Sequence, residues 1–383
     1  EGLLELASFY LSAGLEADGK ALLAGLPNHP LALYWRAWLE RSAPQLSKQL
    51  LAQADAQPVG HAFAFREEML PVLRWAAATS GHWRPRYHLA LLLHHKNRHA
   101  EALSLVQALA DKPEESAFYA LRALWEGDSP EAERDLRKAL SMDPAEWRYP
   151  KLLTQLLIRR GEAAHALSVA EGYVRARGEG KAPIMDMLLA KTLLLNRRYA
   201  DCDALLSRMH IIPFEGSTDG RALYWEAKMM MAVEAFGRKD YKLALRQVQA
   251  AAEWPEHLGV GKPYDADIDT RLERYLEYLC QSRLGRKPQA EAALFAILSY
   301  QPSISNTITQ FQPANHLVTK WAMESRGEGD RWDAWMRSQE QAFPRHAEAF
   351  AQVRRQASGT PTSGTAADDP WMRVIRALQP LAR

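Results

Sequence analysis

The stretch ALRALWEGDSPEAERDLRKALSMDP, residues 120–144, decides the fold. Ala120 and Leu121 open an apolar helical run and Gly127 interrupts it. Ala132, Leu136 and Ala139 then lie at helical spacing in a second run, which Pro144 closes. Small side chains let two antiparallel helices come close, and larger apolar ones fill the gap to the next pair. A glycine between the runs supplies the positive φ wanted at a helix C-terminus.

The pattern returns along the chain. Upstream it reads Ala90-Leu91-Leu92-Leu93, Asn97, Ala102, Val106. Downstream come Thr154, Leu157, Gly161, Ala166, Ala170, and then Ala190, Leu193, Tyr199, Cys202, Leu206. Ala232, Tyr241, Ala244, Val248, Ala251 follow, and finally Tyr278, Gly285, Ala290, Leu294, Ile297, Pro302. The small second-helix residues fall at 102, 132, 166, 202, 244 and 290, spaced by 30, 34, 36, 42 and 46. Within each unit the offsets hold at twelve residues between the small positions and four to the next apolar one. This resembles the tetratricopeptide repeat, a helix-turn-helix of about 34 residues. The expected fold class is all-α, a right-handed α-solenoid with a concave inner groove. No strict period-two alternation persists, so β structure is not expected.

Residues 1–80 repeat more loosely. Ala7, Gly14, Leu22, Leu23 and Pro30 make one unit, and helical periodicity continues through 31–55 and 61–80. Clear repeats occupy 81–303, and 304–357 reads as capping helices. The segment 358–370 (SGTPTSGTAADDP) reads as a flexible linker. The last segment, 371–383, carries Trp371, Val374, Ile375 and Leu378 on one face of a short helix, which either folds back on the array or docks on a partner or a second copy. The long spacings place extra loop at 211–220 (IIPFEGSTDG) and 254–269 (WPEHLGVGKPYDADID).

Composition excludes several classes. Lys plus Arg is 48 against 46 for Asp plus Glu, a formal charge of +2, so a nucleic-acid partner is not expected. Cys202 and Cys280 are the only cysteines, which excludes a disulfide scaffold and a Cys-rich zinc site. No apolar run approaches the roughly 20 residues of a membrane span, so no membrane partner is expected. The first residue is Glu1, which fits a processed protein or a piece of a longer one. The two cysteines slightly favour the cytoplasm over an exported, periplasmic location and leave the compartment open.

Two further stretches resemble a particular bacterial family. One is Phe63-Ala64-Phe65-Arg66-Glu67-Glu68, followed by Arg86-Tyr87-His88-Leu89-Ala90-Leu91-Leu92. The other is Trp254-Pro255-Glu256-His257-Leu258-Gly259-Val260-Gly261. Both are similar to the tetratricopeptide half of proteins carrying domain of unknown function 5107. Trp254 and His257 depart from the family's Tyr-Pro-Glu-Asn-Leu-Gly, and Ala64 stands where Pro is usual. The resemblance implies a helical portion of a larger protein with a separate β-rich domain. From it comes a second functional reading: the helical subunit or C-terminal region of a carbohydrate-active enzyme.

Chemistry-bearing motifs fail on inspection. His95 and His99 are four apart, but the Asn97 turn falls between them, and no carboxylate completes a metal site. Asp265, Asp267 and Asp269 alternate, yet Thr270 and Leu276 stand where a calcium loop needs Gly and Glu. Asp269 reads instead as a helix N-cap. Gly259-Val260-Gly261-Lys262 lacks the first glycine of a phosphate loop, and Pro263 follows the lysine. Neither an enzyme nor a cofactor is expected. Most tryptophans read as packing residues, with Trp321, Trp332 and Trp335 the candidates for an aromatic surface.

The function expected is a non-enzymatic interaction scaffold. Its groove would be lined by the first helix of each repeat: Arg84, Tyr87, His88, His94 and His95, then Trp125, then Arg148, Lys151, Gln155 and Arg159, then Lys191, Glu226, Met230, Tyr275 and Arg283. Basic residues outnumber acidic ones in this set, so the expected ligand is a protein or peptide with an acidic segment or a C-terminal carboxylate. The C-terminal helix is the expected route to a homo-oligomer.

Overall fold

The computed structural model describes residues 2–60, 62–213, 219–301, 312–359 and 369–382. Pro302, residues 214–218 of the loop expected at 211–220 and the linker core 360–368 lie outside them. Among the described residues all regular structure is helical. The chain divides into two compact units, Glu1–Arg160 and Gly161–Arg383.

In the first unit, α1 (Gly2–Ser12) pairs with α2 (Glu16–Ala24), and α3 (Pro30–Leu39) with α4 (Pro44–Asp55). Next, α5 (Met69–Thr79) packs on α6 (Arg84–His95), which pairs with α7 (His99–Ala108). Then α8 (Ser116–Glu126) pairs with α9 (Pro130–Met142), and α10 (Arg148–Arg159) packs on α9. The second unit runs α11 (Ala163–Arg177), α12 (Pro183–Leu195), α13 (Tyr199–Leu206), α14 (Asp219–Gly237) and α15 (Tyr241–Ala251). It continues with α16 (Arg271–Arg283), α17 (Lys287–Leu298), α18 (Asn315–Ser325), α19 (Trp332–Ala342), α20 (Ala347–Ala357) and α21 (Pro370–Leu378). The pairs α12/α13, α14/α15 and α16/α17 repeat the helix-turn-helix, so the fold is an α-solenoid of tetratricopeptide-type units.

A single backbone device sets the register. The turn residues Asn97, Gly127, Gly161, Arg197, Lys239 and Gly285 all have φ between 60° and 76°. Each stands five positions before the small residue of the second helix. At four of these turns the next residue's N–H closes onto the carbonyl five back: Arg98 to Leu93, Arg198 to Leu193, Asp240 to Ala235 and Arg286 to Gln281, each at 2.9 Å. These are Schellman closures, which satisfy the last carbonyls of the first helix. The small residues Ala102, Ala132, Ala166, Cys202 and Ala244 are fully buried. Burial pushes the Cys202 thiol well up and the Cys280 thiol up to about 12, so both are inert at neutral pH.

The same rule brings the N-terminal pair into register. Gly14 has φ 78° and stands five before Gly19, and Ala7 stands twelve before it. A side chain at Gly19 would meet Leu11 Cγ at 2.6 Å, so only glycine lets α1 and α2 approach as they do.

The two long loops pack on each other. Ile211 N–H donates to His257 O at 2.8 Å. A Cβ at Gly220 would meet Leu258 O at 2.8 Å, and one at Gly259 (φ 72°) would meet Ile211 O at 2.8 Å. The Arg221 guanidinium lies 4.6 Å over Trp254. The Trp-Pro-Glu-His-Leu-Gly stretch is therefore built into the wall of the second unit.

Candidate partner-binding faces

In the first unit, Trp83, Tyr87 and Phe118 form an aromatic strip with centroids 5.9 to 6.0 Å apart. Tyr149 is buried, and its hydroxyl lies 2.9 Å from Ser116 Oγ. Tyr87 is buried in this strip, and burial raises its pKa. His88 is fully buried, and desolvation holds its pKa down at about 3, so it is a neutral packing residue. Neither belongs to an open ligand face, which corrects their assignment from sequence. The cause is helix phase: His88 turns toward Tyr34 on α3 and Tyr87 toward Phe118 on α8, each at 5.9 Å. His94 stacks on Trp125 at 4.4 Å and 3° and meets the His99 ring at 4.4 Å, and His95 faces Phe65 at 6.4 Å.

The basic residues of this unit are largely answered by its own carboxylates. Arg84 pairs with Glu115 at 2.8 Å and donates to Asp55 O at 2.9 Å. Arg148 reaches Glu146 and Arg159 reaches Asp128, both at 2.9 Å. Lys151 lies 5.6 Å over the Trp147 ring, and Gln155 is half-buried beside it. The basic excess counted along the first helices is thus offset by acids outside the counted set. The expectation of an acidic ligand loses its basis here.

In the second unit, Lys191 is half-buried and Arg283 exposed. Tyr275 is buried, its hydroxyl pushed up to about 12 by desolvation, with its ring 5.4 Å from Trp321. Glu226 is buried too, and Met230 packs partly against the core. Both sit on α14, and Glu226 lies under α21. Glu226 accepts from Arg373 Nε at 2.6 Å and Nη2 at 2.7 Å, a forked ion pair across 147 residues of sequence. Trp371 stacks on Trp225 at 4.5 Å and 27°, and Trp225 Nε1 donates to Glu273 Oε1 at 2.7 Å. Burial raises Glu273 to about 6.

Asp369 caps α21 through the N–H groups of Trp371 and Met372. Met372, Val374, Ile375 and Leu378 are all 3% exposed or less. Each such side chain contributes about 1.5–3 kcal/mol of burial. The chain's own α21 therefore covers part of the face expected to hold a ligand. Its apolar side is buried within the chain, which removes the basis for a homo-oligomer through this helix. Beyond its C-terminal end a cleft of about 440 Å³ stays open, lined by Tyr275, Lys320, Trp321, Gln356 and Gln379.

Two features escaped the sequence reading. Arg373 sits between apolar positions and its partner is remote, so nothing local marks it. Arg271 and Asp269 form a fully buried pair, closed by Arg271 Nη1 on Thr319 Oγ1 at 3.0 Å. The cap role expected of Asp269 is secondary to that pair: Asp269 Oδ1 accepts the Arg271 N–H at 3.3 Å, and Thr270 is the residue before the helix. Trp332 is buried and donates to His316 O, so it is not part of an aromatic surface.

No protein-family model matches the chain, and no curated protein matches it. Solved structures similar to it include proteins described as containing TPR repeats. The C-terminal part of a TPR repeat-containing protein from Cytophaga hutchinsonii is 14% identical, with 73% of this chain and 99% of that one covered at a TM-score of 0.43. The Naa15/Naa10 complex bound to HypK is 16% identical over 84% of this chain and 43% of that one, also at 0.43. Yeast Tom70 is 13% identical over 92% and 89%, at 0.31. These values are low, and the fold rests on the helix pairing within the chain itself.

Proposed function

We propose that this chain is a non-enzymatic protein-interaction scaffold that holds protein segments on the first-helix faces of its repeats. One observation carries the reading: α14 already grips a helix from 147 residues away through a forked ion pair and a tryptophan stack. Stacked helix pairs expose long rows of side chains on rigid supports, which suits recognition of an extended or helical segment. In the first unit the reading draws on Lys151, Gln155, His95 and the His94–Trp125 stack; in the second, on Lys191, Arg283 and the face under α21.

The test is capture of partners from the source cell by the full chain. Two variants are compared with it: Arg148→Glu with Lys151→Glu and Arg159→Glu, and Lys191→Glu with Arg283→Glu. A partner retained by the wild-type chain and lost from one folded variant is expected. Identical capture by all three chains contradicts the reading.

A further inference from the structure

We infer that the α14 face of the second unit is a binding site for a basic amphipathic helix of a partner protein, and that α21 is a tethered stand-in which the partner displaces. This rests on the scaffold reading and names its ligand class.

The first support is the chemistry of the contact. Glu226 is 2% exposed, among Trp225, Met229 and Val233. A carboxylate in such a wall needs a guanidinium with forked geometry, and Arg373 supplies it at 2.6 and 2.7 Å. Trp225 is held flat to stack by its bond to Glu273. The face thus specifies a sequence: an aromatic residue, arginine two positions later, and aliphatic residues three, four and seven positions after the aromatic. In α21 these are Trp371, Arg373, Val374, Ile375 and Leu378.

The second support is the connection. Helix α20 ends at Ala357 and α21 starts at Pro370, so twelve residues join them. A connection this short gives an effective concentration of order millimolar, which fills the site until a tighter ligand arrives. The third is unused space. Gln379 and Ala382, just past α21, line one side of the cleft with Tyr275, Lys320 and Trp321 and leave its volume open, so a partner helix with larger side chains at those positions gains contacts that this chain does not make.

The test uses the full chain with a protease site placed within residues 360–368, so that all residues remain present after cleavage. The probe is a fluorescent peptide of residues 369–383, followed by anisotropy. The cleaved chain should bind it at least ~100-fold more tightly than the uncleaved chain, the gain expected from removing an intramolecular competitor. A peptide carrying Arg373→Glu should bind at least ~10-fold more weakly, and Glu226→Arg in the chain should restore it. Circular dichroism confirms that the cleaved chain stays helical. Equal binding before and after cleavage, or no effect of Arg373→Glu, overturns the inference. A stable dimer of the uncleaved chain overturns it as well, because the face would then belong to the α21 of a second copy. Partner capture that proceeds while the peptide never enters leaves the scaffold reading standing. Peptide entry with no partner lost from any variant contradicts the scaffold reading instead.

Discussion

The two units carry the same repeat and finish their first-helix faces differently. In the first, charge is settled locally: Arg148 and Arg159 pair with Glu146 and Asp128, at most 31 residues away, in exposed bridges. In the second, the buried Glu226 is settled by Arg373 on α21. Exposed pairs are worth roughly 0–1 kcal/mol, whereas a buried carboxylate stripped of its partner costs about 3–5 kcal/mol. The same helix spacing thus leaves Arg148 and Arg159 in exposed bridges and Arg122 in a buried pair with nearby Asp135, whereas the buried Glu226 depends on a helix 147 residues away.

Charge reversal separates the two faces most strongly. Arg373→Glu should weaken the hold of α21 by about 3–5 kcal/mol, and adding Glu226→Arg should recover most of it. Arg159→Glu in the first unit should change stability by no more than about 1 kcal/mol. Denaturant unfolding followed by the fluorescence of the twelve tryptophans, which lie in both units, checks both.

Glycines sharpen the contrast next. Gly259→Ala drives a Cβ into the Ile211 carbonyl at positive φ and should cost about 2–4 kcal/mol. Gly19→Ala meets Leu11 Cγ at 2.6 Å, so Leu11 must shift, but the close contact is with side chain and no positive φ is strained, so it should cost less in the same unfolding assay.

A smaller effect follows from Glu273. Its folded pKa of about 6 lies above the ordinary glutamate value of 4.5, so the folded state keeps its proton longer than the unfolded state does. Stability of the second unit should therefore fall as pH rises through 4.5 to 6, by roughly 2 kcal/mol in total. In Glu273→Gln that decline should vanish, as read from melting temperatures across this window. The smallest effect is at Lys239, a non-glycine residue at φ 64°. Lys239→Gly should stabilise by about 0.5–1 kcal/mol, measured by thermal unfolding.

The repeat register was legible because it is local. Offsets of twelve and four between small and apolar residues, with a positive-φ turn five before the small residue of the second helix, are fixed by helix geometry and survive any change of partner. The turn residues Asn97, Gly127, Gly161 and Gly285 and the small positions 102, 132, 166, 202 and 244 were readable for this reason. The faces were less so. Tyr87, His88, Tyr275 and Glu226 sit on first helices as expected, but burial depends on which neighbour covers them. Tyr275 and His88 carry polar atoms into a packed core, and Glu226 is covered by a helix 147 residues on. Charge counted along one face missed Glu115, Glu146 and Asp128, which approach from turns and caps outside it. The C-terminal helix was seen, but its docking side was open between its own chain, a partner and a second copy, because amphipathicity states that a face is buried and not against what.

Hydrogen exchange at the α21 amides tests the central claim most directly. If α21 is a displaceable occupant, residues 373–378 should open at a free energy well below that of α14 and α15. In Arg373→Glu, α21 alone should lose protection while α14 and α15 keep theirs. If α21 and α14 share one opening free energy and lose protection together in the variant, α21 is a fixed part of the core and the account is wrong.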